Sequence, residues 1–403
     1  MSRIRLSLGL LSLACLALAL LAPEARAESW CAYPLWVHEW GVQSFAGDGR
    51  RAVIPMPGFF HRTGPTTARA EPPVRSLPPD TGERALLILQ FYSGGSLSEP
   101  IPVAIEVGFT HGDASAWYPQ VSRRTPAATA NGPEARAARA SLLQARAAQS
   151  VHGPRRELAA DPTRQLEWSH LRLSRAAAGR PASSNVPWVD RLRAIDRALW
   201  VRAAGESERF VFYEADTSEM VALAIERGPQ HAPGRRHFVL RNRGTHAVHD
   251  VFVVHREASM LYVFIAPSIP AGATAGFVLE EHRVASGGER AATRDRLRAL
   301  LVDAAQPAPP AQYRWDLDHC VMMRDPSIPL ERAEGHRLYA TEADVLLDVW
   351  SARFFDQQGT TIVYREDVAY LDAEMPLSIY TDMYNYPVLR RLGLAVWSGV
   401  SLP

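Results

Sequence analysis

The chain has 403 residues, 47% hydrophobic and 22% charged, with 44 basic against 43 acidic residues. Every one of the 44 is arginine. Without lysine there is no P-loop lysine, no pyridoxal Schiff base and no kinase-type or Ser–Lys chemistry, which leaves carboxylate, His, Ser, Tyr or Arg chemistry, or none.

Residues 1–27 read as a secretory signal. Arg3 and Arg5 give a basic start, residues 6–22 are apolar, and Ala25-Arg26-Ala27 is an A-x-A cleavage site. An uncleaved anchor is one alternative. Lipid attachment at Cys15 is another, although Ser12 departs from the usual pattern. Cleavage leaves 41 basic and 42 acidic residues. That balance predicts no nucleic-acid partner, and the mature chain has no apolar run for a transmembrane helix. Two cysteines remain, Cys31 and Cys320. In an oxidising compartment they pair most simply with each other, which would dock the N-terminal strand on the C-terminal region. Two separate buried thiols are the alternative.

Residues 28–122 read as an N-terminal β region. Residues 36–45 alternate as a strand does, and 51–82 are irregular, rich in Pro, Arg and Gly. The continuous apolar run at 85–92 suits a buried strand. Further strands are predicted at 102–109 and 116–121, with a turn at His111-Gly112-Asp113. Residues 123–185 form an Ala/Arg-rich insertion or linker. Between 123 and 180 there are 15 Ala, 11 Arg and 4 acidic residues. A helix is predicted at 134–149 and a short strand at 166–173. The basic excess is either a surface for anionic polymers or lipid headgroups, or codon drift in a tolerant insertion.

Residues 186–288 read as a β-sandwich region. Strands are predicted at 210–213, 221–226, 237–242, 248–256, 260–266 and 275–280, with turn signals between them. From 289 to 403 the pattern becomes α+β. A helix spans 289–304, with Leu297, Leu300 and Leu301 on one face. A second spans 341–357, capped by Thr341 with Asp344 as its partner, and Gly359 stops it. A strand follows at 360–365, and the tail is mixed. The predicted fold is therefore mainly β: two β-sandwich-like regions, an Ala/Arg-rich insertion and a C-terminal α+β portion.

Val37-His38-Glu39-Trp40-Gly41 resembles a group of uncharacterised secreted bacterial proteins that share an N-terminal H-E-W-G motif. Leu89-Gln90-Phe91-Tyr92, Trp117-Tyr118-Pro119, Phe210-Val211-Phe212-Tyr213, the helix around Trp350 with Gly359, and Met375-Pro376-Leu377 resemble that group in the same order. The resemblance implies secretion and colinearity over most of the mature chain, but no reaction. After Gly41 this sequence departs from the group, with Val42-Gln43-Ser44-Phe45 in place of Thr-Phe-Thr.

His38-Glu39 is the sharpest local feature. On a strand His38 shares a face with Trp36 and Trp40, and Glu39 faces the other way with Val37. Either one is a metal ligand or an acid/base group, or both are buried polar residues that fix the strand's register. H-E-x-x-H is absent because position 42 is Val42. Asp316, Asp318 and His319 form a second cluster. With His38 they would hold a divalent metal, Zn or Ca; alternatively they are a charged loop. Trp40, Trp117 and Tyr118, with Trp30 and Trp36, are candidates for an aromatic ligand platform, set against ordinary burial. Asp80-Thr81-Gly82 and Asp216-Thr217-Ser218 are better explained as turns than as an aspartic-protease pair. His246, His249 and Asp250 would touch one surface cation or form a hairpin turn. The leading expectation is a secreted or periplasmic cell-envelope binding or structural protein, with no certain cofactor beyond a possible divalent metal, Zn or Ca. Its partner would be envelope polysaccharide or another envelope component. The alternative is a metal-dependent hydrolase using His38 or Glu39 with the 316–319 cluster.

Overall fold

A computed structural model describes residues 31–46, 54–63, 82–93, 100–110, 112–125, 164–217, 219–229, 233–284, 289–309, 321–322, 337–382 and 385–403. The predicted signal, the helix at 134–149, and Asp316, Asp318, His319 and Cys320 lie outside these residues.

The strands and helices run in this order. First come β1 (Cys31–Ala46), β2 (His61–Arg62), β3 (Gly82–Ser93), β4 (Ile101–Phe109), β5 (Asp113–Tyr118), β6 (Arg123–Thr125) and β7 (Arg164–Ser174). Next are α1 (Pro187–Arg193), β8 (Trp200–Ala203), β9 (Glu206–Glu208), β10 (Val211–Asp216), β11 (Leu223–Arg227), β12 (His237–Asn242), β13 (Val248–Glu257), β14 (Met260–Ile269) and β15 (Thr274–Val278). The chain then forms α2 (Glu289–Leu301), β16 (Val321–Met322), α3 (Ala340–Val349), α4 (Ser351–Phe355), β17 (Gly359–Glu366), α5 (Val368–Glu374), β18 (Leu377–Thr381) and β19 (Asn385–Val400).

The fold is mainly β. One large sheet has the order β14-β13-β17-β19-β1-β3-β10-β5-β2, with β16 also paired to β1. It draws strands from the N-terminal, middle and C-terminal regions alike. One face is covered by α1 to α4. Trp36, Trp40, Ile88, Tyr92 and Phe212 from the sheet pack there against Trp188, Leu297, Leu346 and Phe354. The opposite face carries two smaller sheets side by side. β18-β4-β7-β8-β9 covers Val37, Leu89 and Val211. β11-β12-β15 covers Phe45, Val253, Ile362 and Trp397. Two sandwich-like halves therefore share one layer. A sheet covered on both faces needs strands that are apolar on both, which is why all twelve residues of β3 are buried and why 85–92 reads as an unbroken apolar run. Each large apolar side chain buried here contributes roughly 1.5–3 kcal/mol.

One local expectation needs correction, and two are sharpened. The tail is mixed, as expected, with α5 and β18 followed by β19, a central sixteen-residue strand parallel to β1 over 33–46. Arg390, Arg391 and Gly393 interrupt its apolar run and hid its period. The helix expected at 341–357 is two helices, broken at Trp350, where φ is −96° and ψ is 6°. Its cap also lies elsewhere: Tyr339 is extended at the cap position, and its N–H donates to Glu342 Oε2 at 2.9 Å. Asp344 instead accepts from Arg298. The strand expected at 166–173 is present as β7, inside the segment read as an insertion or linker. β7 pairs with β4, and Leu166, Trp168, Leu171 and Leu173 are buried. At the sheet's end, Cys31 stands opposite Met322 and Ala32 opposite Val321.

Candidate functional site

The H-E-W-G segment lies in the middle of the large sheet, and each of its residues has a separate role. His38 stands opposite Gln90 on β3 and Arg390 on β19; Glu39 stands opposite Leu89 and Arg391. A Cβ at Gly41 would lie 2.7 Å from Leu87 Cδ2 and 3.1 Å from Leu87 Cα, so only glycine permits this approach. Its neighbour across the pairing is Gly393, where a Cβ would meet Glu366 Oε2 at 2.5 Å. The two glycines thus admit a strand on one side and a carboxylate on the other.

On the helix-covered face His38 is completely buried. Its Nδ1 lies 2.8 Å from Glu342 Oε2. A carboxylate only accepts, so Nδ1 carries the proton. Tyr92 donates its hydroxyl to Glu342 Oε1 at 2.8 Å. The imidazole is flanked by the rings of Tyr92 and Tyr339 at 5.3 and 4.4 Å. Trp40 Nε1 donates to Gln90 Oε1 at 3.4 Å, and neither His38 Nε2 nor Gln90 Nε2 has a hydrogen-bond partner among the described residues. Arg390, beyond Tyr339, donates to Asp303 and Gln306. His38 lines neither the cleft beside the charged seam nor the hollow beside α2, and its one carboxylate partner is engaged by three donors. No group of three or more metal-ligating side chains occurs among the described residues.

The opposite face is charged. Glu39 receives the Tyr213 hydroxyl and a two-pronged contact from Arg391, which also donates to Asp372 at 2.9 Å. Beside it, Arg84 forks between two carboxylates. It reaches Glu219 at 2.8 and 3.1 Å and Glu366 at 2.7 and 3.1 Å. Tyr370 donates to Glu219 at 2.8 Å. α5 roofs this seam, supplying Tyr370 and Asp372, while Asp367 caps α5 by accepting from Ala369 N. The seam separates the cores of the two sandwich-like halves. It holds four carboxylates, Glu39, Glu219, Glu366 and Asp372, against two guanidinium groups.

The two carboxyls that share Arg84 are moved in opposite directions. Burial pushes Glu366 above the usual carboxylate range, and the nearby Glu219 charge adds to that against the pull of Arg84. Burial acts the same way on Glu219, but Arg84 and the Tyr370 hydroxyl outweigh it and hold Glu219 low. Burial beside these carboxylates raises the phenols of Tyr364 and Tyr370, so both remain donors.

A cleft of about 610 Å³ opens onto the seam. It lies where the three-stranded sheet meets the large one. Residues 220–225 and 243–248 form one side, and Gln43, Phe45, Tyr364, Glu366, Asp367, Tyr370 and Trp397 form the other. Met220 stands at its mouth, 64% exposed. Gln43 is 1% exposed, and its amide lies against Glu219 and helps hold that carboxyl low. His246 packs by its ring on Tyr370 at 5.6 Å, and His249 pairs with Asp367 at 3.0 Å.

The structure therefore separates the sequence candidates. His38 and Glu39 lie on opposite faces, as alternation predicts, and both are held by protein partners. Trp40, Tyr118, Trp36 and Trp117 are at most 7% exposed, so they present no flat face to solvent. Tyr118 stacks on Phe60 at 5.2 Å, and Arg124 lies over Trp117. Trp30 lies outside the described residues. His246, His249 and Asp250 do not converge on one point: Asp250 pairs with Arg365, and His249 with Asp367. Arg84, Glu219, Glu366 and Tyr370 were not singled out in sequence. The available signal was a charge at each end of an otherwise buried strand, Arg84 before the 85–92 run and Glu366 after 360–365.

No family model matches the chain, and no curated protein matches it. Among solved structures it is similar to the Fcho1 Mu homology domain of Danio rerio with bound Eps15 peptide, at 7% identity over 92% of this chain and 97% of that one, with a TM-score of 0.29. A likeness at that level carries no argument about this chain.

Proposed function

We propose that this chain is a secreted or periplasmic cell-envelope protein that binds a small ligand, or one unit of an envelope component, in the cleft above the charged seam. One observation carries the reading. Of the buried ionic clusters described above, the Glu219–Arg84–Glu366 group has a cleft opening onto it, lined by Glu366 itself. Concave sites with apolar walls and a few convergent polar groups are where small ligands bind. The His38 cluster, by contrast, is closed and held by its own partners, so it supports a structural role.

The binding reading is tested by thermal shift of the exported chain against envelope fragments: peptidoglycan pieces, oligosaccharides and lipid headgroups. Ala222→Trp, on the cleft wall, narrows the cleft. The expected result is a stabilising compound whose effect this variant removes, since a ligand that binds only the folded state raises its stability. Sequencing the N-terminus of the exported protein tests the compartment, with Glu28 expected first. A chain that stays in the cytoplasm, and that no fragment stabilises, would overturn the proposal.

A further inference from the structure

Resting on the cleft-binding reading, we infer that Met220 is a modification site: a peroxide oxidises its thioether to the sulfoxide, and this change at the mouth of the cleft lowers affinity for a ligand that touches the apolar wall.

Three observations carry this. The first is access. Met220 is 64% exposed, whereas Met375 is fully buried and Met56 and Met260 pack against the apolar cores. Met260 Sδ also accepts the Tyr262 hydroxyl at 3.3 Å. Thioether oxidation follows the access of the oxidant to sulfur. The second is position. Met220 lines the cleft with the half-buried Val221, Ala222 and Ile225, so its side chain is part of an apolar wall that a ligand would touch. The third is that the backbone on either side is held. Glu219 O accepts from Gly82 N at 2.8 Å, and the Glu219 carboxylate is held by Arg84 and Tyr370. Ala222 O accepts from Arg243 N at 2.7 Å, and Ala222 N donates to the Tyr364 hydroxyl at 3.3 Å. Modification therefore changes the chemistry of the mouth while the walls stay in place.

In the reaction, the sulfur lone pair attacks one peroxide oxygen. The O–O bond breaks as the S–O bond forms, and sulfur is oxidised by two electrons. The proton of the transferred hydroxyl passes to the departing hydroxide, which leaves as water. A dithiol reductase reverses the step: the sulfoxide oxygen leaves as water and the dithiol becomes a disulfide. A flexible apolar side chain thus becomes polar, and the wall gains a hydrogen-bond acceptor. Losing apolar contact worth one methylene lowers affinity about fourfold.

The test begins with mass mapping of the mature chain after brief treatment with hydrogen peroxide. Cleavage after arginine puts Met220 in segment 210–227, apart from Met56 in 52–62 and Met260 in 257–283. Segment 210–227 is expected to gain one oxygen at least about tenfold faster than the other two. Nile red, an apolar dye, is then titrated, together with any envelope fragment that stabilises the chain. Affinity is expected to fall about fourfold on oxidation and to recover after methionine sulfoxide reductase. Met220 is exposed, so its variants keep the fold: Met220→Leu should bind and be indifferent to peroxide, and Met220→Gln should bind like the oxidised parent. Oxidation of Met56 or Met260 as fast as Met220 overturns the inference and leaves the cleft-binding reading standing. So does an affinity that oxidation leaves unchanged but Ala222→Trp abolishes. Failure of the dye and of every envelope fragment to bind overturns both.

Discussion

His38 and Glu39 are adjacent residues on one strand, both buried and both polar, yet they serve different regions. The His38 side is a closed cluster. One carboxylate, Glu342, is matched by an imidazole, a phenol and a backbone N–H, and helices cover it. The Glu39 side is a seam with excess carboxylate, roofed by a seven-residue helix and open to a cleft at one end. Burying a polar group therefore does not by itself make a site. A closed network fixes register, whereas a charged network with an opening can act on a ligand.

The largest expected effect comes from removing the cation of the seam. Arg84→Met leaves Glu219 and Glu366 buried without their guanidinium and should cost about 3–5 kcal/mol at neutral pH. Urea unfolding measures this. A loss below about 1 kcal/mol would mean that the seam is far wetter than its geometry implies, and the contrast between the two faces would fail.

A smaller effect is expected on the closed side. Glu342→Gln weakens contacts from His38, Tyr92 and Tyr339 and should cost roughly 1.5–3 kcal/mol. It should leave ligand binding at the cleft unchanged. If it altered the cleft's affinity while the protein remained folded, the two faces would be coupled rather than separate.

The smallest effect is a change of sign with pH. Glu366 is raised in the folded state, so its protonated form favours folding below the unfolded value near 4.5, and that contribution is lost as pH rises through the folded value. Glu366→Gln should therefore match the parent in acid and become relatively more stable as pH rises above 4.5. Glu219 has the opposite sign. It is lowered, so its contribution is present above 4.5 and disappears as pH falls through its folded value. Melting temperatures of Glu366→Gln and Glu219→Gln across that range should diverge in opposite directions. Parallel curves would remove the assignment of the shared charge.

Much of the chain's strand pattern was legible from sequence. The 85–92 run, the alternation at 36–45 and the short strands between 210 and 280 are local signals, because side-chain period and turn residues are local properties. The opposite orientation of His38 and Glu39 follows from the same period. β19 was not legible, because Arg390, Arg391 and Gly393 meet needs set by distant segments: a partner for Asp303, a partner for Glu39, and room for Glu366. The aromatic residues were legible as aromatic but not as buried, since a tryptophan on a covered strand and one on an open surface look alike in sequence.

By itself, then, the sequence determined the mainly β character, the absence of lysine chemistry and the two faces of the H-E-W-G strand. Only the tertiary structure decided that the strand lies at the centre of a shared sheet, that Arg84 meets both Glu219 and Glu366, and that a cleft ends on that group. Those residues are 135 and 282 positions apart from Arg84, and no local pattern specifies which distant charges will share one dry space.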